Sequence, residues 1–139
     1  MEPNDITTYI TTTFAHVNVA TNDGDLFYMY DPDPMFPFAT LITKDNEFDS
    51  HSKLDRPGVF RLNIGVGKAT FQRLFGTAAT GDQDFTAQDV VMPHPVYGRQ
   101  YWVSVLNPTD ATFEALEPML AEAYQLVVDR NTRKGNVPA

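Results

Sequence analysis

The stretch Asn22-Asp23-Gly24-Asp25 limits the fold more than any other. It lies between two short β-prone runs, Val17 with Val19 on one side and Leu26 to Tyr30 on the other. An Asp-Gly pair between such runs supplies the positive φ angles of a tight hairpin turn. The two runs must then lie antiparallel. Asp31-Pro32-Asp33-Pro34 stops the second run, because proline has no N–H to give to a strand ladder. Phe38 to Thr43 reads as a third strand. Val59 to Val66 reads as a fourth, with Phe60, Leu62 and Ile64 on one face and Arg61 and Asn63 on the other. Tyr101 to Leu106 reads as a fifth. Asp55-Arg56-Pro57-Gly58 is a turn, and Asp45 to Leu54 reads as a polar, mobile loop.

Helices bracket these strands. Ile6, Tyr9, Ile10 and Phe14 form one apolar stripe over residues 3–14, with Pro3 suited to the first helical position. Lys68 to Phe75 is a short helix ended by Gly76. Residues 77–91 read as a surface connection, with a helical turn after Thr86. Ala111 to Arg130 carries Phe113, Leu116, Leu120, Ala123, Tyr124 and Val127 on one stripe. Pro118 inside it predicts a kink, or two helices with the second starting near Pro118. The fold class is therefore α+β: a single antiparallel sheet of about five strands, with the N- and C-terminal helices packed on one face. Residues 1–131 form one domain, and 132–139 a frayed or disordered tail.

Composition narrows the chemistry. The chain has 139 residues, no cysteine and a formal net charge of -8. Thiol nucleophiles, disulfides and Cys-type zinc sites are excluded. The N-terminus lacks the basic and apolar regions of a signal peptide, and no run is long enough to span a membrane. The expected location is the cytoplasm. The acidic balance argues against nucleic acid as a partner. The one basic run, Lys53, Arg56, Arg61, Lys68 and Arg73, is flanked by acidic segments and reads first as a solvated mixed surface.

The motifs carry little assigned chemistry. Gly65-Val66-Gly67-Lys68 before a helix suggests a phosphate loop, but Leu62 stands where that pattern needs glycine. His16, His51 and His94 show no metal-ligand spacing, so neither a metal nor a cofactor is expected. Asp31 and Asp33 suit a turn better than a cation loop. His94 is held between Pro93 and Pro95, near Tyr97, Arg99 and Trp102. Its titration near neutral pH could relay protons; the plainer reading is a histidine capping a turn. The runs at Leu26 to Tyr30 and Tyr101 to Leu106 are apolar on both faces, so the second sheet face is either covered or binds something. Tyr28, Tyr30, Arg61, Asn63 and Tyr101 or Trp102 are placed there. The packing expectation is that Trp102 or its strand neighbours meet the last helix near Leu120 and Tyr124.

Phe38-Ala39-Thr40-Leu41, the segment Arg56 to Val66, Met92 to Gly98 and Trp102 to Pro108 together resemble the DUF6194 family of small bacterial proteins of unknown function. More distantly, the Trp-bearing strand followed by Ala123-Tyr124-Gln125-Leu126-Val127 is similar to MmcQ/YjbR-like proteins. That likeness implies a frataxin-like layout and a bacterial cytoplasmic setting, and no reaction. The functional expectation is a non-enzymatic small-molecule-binding or interaction module. Its ligand candidates are His94, Tyr97, Arg99, Trp102, Arg61, Asn63 and Tyr30, facing a small anionic or aromatic ligand. The alternatives are a small enzyme using His94 as acid or base on an anionic substrate, a weak nucleic-acid binder through Lys53 to Arg73, and a homodimer covering the second face.

Overall fold

In the computed structural model, which describes residues 1–76 and 82–138, three α-helices and six strands follow one another along the chain. Helix α1 spans Pro3–Thr13; the Asp5 carboxylate accepts the Glu2 N–H at its start. Strands β1 (Val17–Asn22) and β2 (Asp25–Tyr30) pair antiparallel across Asp23 and Gly24, whose φ values of 52° and 91° form the expected tight turn. Strands β3 (Ala39–Ile42) and β4 (Arg61–Gly65) follow, then α2 (Lys68–Phe75). After β5 (Met92–Pro93) come a short 3-10 turn at Gly98–Gln100, β6 (Trp102–Leu106) and α3 (Asp110–Arg133). The part of the 77–91 connection at residues 77–81 lies outside the described residues.

The sheet has six strands in the order β1-β2-β3-β4-β6-β5, every pair antiparallel. Five were expected. The sixth, β5, is two residues long and ends in proline, so it carries no periodicity to detect. Proline is tolerated there because β5 lies at the sheet edge, where no neighbour needs its missing N–H.

Both long helices lie on one face. Ile6 and Ile10 of α1 and Phe113, Leu116, Leu120, Ala123 and Val127 of α3 join Leu62, Ile64, Val103 and Val105 in the main core. Trp102 does not join them. Strand alternation sends Val103 and Val105 toward α3 and Trp102 to the other face, so the strand neighbours rather than the tryptophan join the helix in the core. Helix α3 also runs unbroken through Pro118. Pro118 and Glu114 are exposed, so the carbonyl that loses its bond to proline faces water, while Leu116 and Leu120 are buried on the other side.

The apolar stripe of α3 sets a clear expectation. Leu120→Ala should cost about 2–5 kcal/mol, the scale of emptying a fully buried leucine site. Leu126→Ala, on the exposed flank, should cost less than about 0.5 kcal/mol. Urea denaturation of the two variants checks the difference; equal losses would mean that the stripe is misplaced.

Candidate functional site

The register of the sheet fixes what faces away from the helices. Phe27 pairs with Thr40, Thr40 with Asn63, Asn63 with Ser104, and Ser104 with Met92. These side chains form one row across the second face. The next row contains Ile42, Arg61 and Leu106. Tyr28 is one residue out of phase with Phe27, in the row of Ala39 and Ile64. It lies in the main core, where its hydroxyl meets that of Thr7 at 2.8 Å. Tyr30 shares that face and packs edge-on against Tyr124. Both tyrosines were expected on the second face; strand alternation puts them on the helix side.

Arg61 is fully buried on this second face, and its surroundings explain how. A guanidinium has five N–H donors and no acceptor, so burial requires partners for its hydrogens and for its charge. Nε donates to Asn63 Oδ1 at 2.9 Å. Nη1 donates to Asp49 Oδ1 at 3.1 Å and to Ser52 Oγ at 3.0 Å. Nη2 donates to the second oxygen of Asp49, completing a bidentate ion pair. Burial raises the Asp49 carboxyl, but the hydrogen bonds and charge of Arg61 outweigh that and hold it below the usual carboxylate range. Asn63 Oδ1 also accepts from Ser104 Oγ at 2.6 Å, and its amide donates to Thr40 Oγ1 at 3.0 Å.

Two partners of Arg61, Asp49 and Ser52, come from the segment expected to be a mobile loop. It is folded down instead. Asp45 Oδ1 accepts the Leu54 N–H at 2.9 Å, Asp55 Oδ1 accepts the Asp45 N–H at 3.0 Å, and Asn46 Oδ1 accepts from Phe48 and Asp49. Leu54 and Val59 then join Met92 and Leu106 in a second, smaller apolar cluster. This covers part of the second face and leaves the rest open.

The open part is a cleft of about 540 Å³. Arg61, Asn63, Thr40 and His94 contribute polar groups to it. Phe27, Phe36, Phe48, Tyr97 and Trp102 supply aromatic surface. Trp102 can lie flat against β4 because residue 65 is glycine: a Cβ there would stand 3.0 Å from the indole ring. The sequence-selected residues His94, Tyr97, Trp102, Arg61 and Asn63 therefore converge on one cleft. Tyr30 faces away, and Arg99 sits exposed in the 3-10 turn, not among the lining residues. Phe27, Phe36, Phe48 and Asp49 were missed. Phe48 and Asp49 had a signal: an aromatic amid acidic residues, and a carboxylate to answer an arginine inside an apolar strand.

His94 is the hinge of the cleft's far wall. The residue is 6% exposed. Its Nδ1 accepts the backbone N–H groups of Val96 and Tyr97, both at 3.0 Å, so the histidine caps its own turn. Its Nε2 lies 3.3 Å from Arg61 Nη2. Burial first, then the positive charge of Arg61, push its pKa down to about 3. The ring is neutral at physiological pH, which weakens the acid–base reading.

Two other expectations resolve here. At Gly67 and Thr70, where a phosphate loop would hold its anion, the Glu122 carboxylate accepts from Gly67 N and Thr70 Oγ1, both at 2.6 Å. The anion position is filled from within the chain. The basic run loses Arg61 to burial, and Arg56 bonds the carbonyls of Ser52, Lys53 and Thr86. Among the described residues, no three His, Asp or Glu side chains converge as metal ligands.

Acid sensitivity follows from His94. Unfolded histidine takes up a proton near 6.5, whereas folded His94 stays neutral to about 3. The stabilisation is complete above 6.5 and is lost as pH falls toward 3. Asp49, with a lowered carboxyl, acts in the same direction below its ordinary value of 3.8. Between pH 7 and 5 the His94 contribution is roughly 2 kcal/mol. Urea denaturation at both pH values should show that loss in the native chain, and His94→Asn should remove most of it. An unchanged slope in the variant would show that the ring titrates normally.

A family model described as a family of unknown function, DUF6194, matches residues 1–136. No curated protein and no solved structure matches the chain. With nearly its whole length matched, the chain belongs to the DUF6194 family.

Proposed function

We propose that this protein binds a small molecule with a flat apolar body in the cleft on the second face of its sheet. The observation that carries this reading is the composition of that cleft. A polar floor at Arg61, Asn63 and Thr40 is surrounded by Phe27, Phe36, Phe48, Tyr97 and Trp102. Phe36, Phe48 and Tyr97 are exposed at its rim, Phe48 at 76%. Large aromatics in water are costly unless something covers them. The volume of about 540 Å³ lies in the usual range for small-ligand sites. The floor is already ordered by the Arg61 network and the far wall by the His94 turn, so a ligand need not supply that ordering.

The binding reading is favoured over catalysis. The candidate acid–base group, His94, is neutral near pH 7 and has Nδ1 committed to the backbone. A nucleic-acid role is disfavoured by the formal charge of -8 and by the dispersal of the basic run.

A thermal-shift screen of flat aromatic compounds tests the reading. At least one should raise the melting temperature by several degrees, as ligand binding to the folded state requires. Phe36→Ala and Phe48→Ala remove mostly exposed surface, so each should leave the ligand-free melting point nearly unchanged. Each should also weaken the hit by about fivefold or more. A hit that binds both variants as tightly as the native chain would place the ligand elsewhere.

A further inference from the structure

The hydrogens between His94 and Arg61 do not balance. Nδ1 of His94 accepts two backbone N–H groups, from Val96 and Tyr97. It therefore carries the lone pair, and the proton of the neutral ring sits on Nε2. Nε2 faces Arg61 Nη2 at 3.3 Å. Arg61 has used its other hydrogens on Asn63, Ser52 and both oxygens of Asp49. The last hydrogen on Nη2 points toward His94. Two donors thus meet with no acceptor between them. Both residues are more than nine-tenths buried, and both line the cleft. Leaving buried donors unmet is costly, so the pair favours an acceptor that both can reach.

We infer that the ligand of this cleft is an uncharged aromatic carbonyl compound whose oxygen sits between His94 Nε2 and Arg61 Nη2. This deepens the small-molecule reading above and rests on it. An oxygen about 2.9 Å from each nitrogen forms a nearly equilateral triangle with their 3.3 Å separation. A carbonyl oxygen has two lone pairs for the two donors. The choice of a neutral oxygen over a carboxylate or phosphate comes from charge. Arg61 is already neutralised by Asp49, whose carboxylate bonds the same Nη2. An anion beside it would face that carboxylate at close range, on a chain of formal charge -8. Asp25 adds a second carboxylate to the lining, paired with Lys44 at 3.1 Å. The aromatic body follows from the walls: Phe27 and Trp102 stand on the same sheet face as Arg61, and Phe48 and Tyr97 flank it.

The test has two parts. Long-range ¹H–¹⁵N spectra of the ligand-free protein read the His94 tautomer, and the Nε2–H form is expected. The Nδ1–H form would give Arg61 its acceptor and overturn the inference. Three near-isosteric probes then follow: 2-acetylnaphthalene, 2-naphthoate and 2-ethylnaphthalene, monitored at the Trp102 indole N–H and the Tyr97 amide. The ketone should bind at least about tenfold tighter than either of the others, the worth of one buried hydrogen-bonding oxygen. His94→Asn should erase that preference. The Asn side-chain oxygen can still accept from residues 96 and 97, so the turn survives while the Nε2 donor is lost. Equal binding of all three probes would refute the carbonyl inference and leave the aromatic cleft standing. Tighter binding of naphthoate would refute it in favour of an anion. No response to any probe would remove the binding reading and the inference together.

Discussion

A guanidinium with no exposed surface governs the second face of this sheet. Arg61 sits mid-sheet between apolar neighbours, and charge in such a place is tolerable only when the charge itself and most of the hydrogens are answered. Asp49 answers the charge and two of the hydrogens, Ser52 and Asn63 answer one each, and the fifth points toward His94. Two of those partners come from a segment that has no regular secondary structure of its own. The polar run at 45–54 is ordered because Arg61 requires it. Its ordering in turn brings Leu54 and Val59 down onto Met92 and Leu106.

That arrangement divides the second face unequally. One side is sealed by a small apolar cluster. The other remains a cleft, since the segment that delivers Asp49 also lifts Phe48 to the rim rather than into the sheet. The 92–97 turn closes the far side. Pro93 ends the edge strand, His94 caps the turn through Nδ1, and the ring is left with Nε2 beside Arg61. One ion pair thus determines the loop, the rim and the donor-rich floor, and each is a property that a ligand would meet.

Much of this was legible in the residues. Helix α1, the β1–β2 hairpin, the alternation of β4 and the stripe of α3 rest on strong local periodicity, and each formed where expected. The convergence of His94, Tyr97, Trp102, Arg61 and Asn63 followed from two strands and a proline-bounded turn. The rest was hidden for physical reasons. Strand β2 is apolar on both faces, so alternation could not tell Phe27 from Tyr28; only the pairing of Phe27 with Thr40 does so. Strand β5 is too short to have a period. Pro118 did not break α3, because its lost bond falls on the wet side of a helix held by Leu116 and Leu120. The order of residues 45–54 depends on a partner twelve positions from Asp49, beyond the reach of any local pattern.

The dependence of the second face on one ion pair can be measured directly by a double-mutant cycle. Arg61→Met, Asp49→Asn and the double variant would be compared with the native chain by urea denaturation at pH 7. Each single change leaves a buried polar partner unanswered, whereas the double change removes the charge pair as a unit. The expected result is a coupling energy above about 2 kcal/mol, with the double variant more stable than the sum of the singles requires. Losses that add within about 0.5 kcal/mol would contradict the central claim, because Arg61 and Asp49 would then be independent.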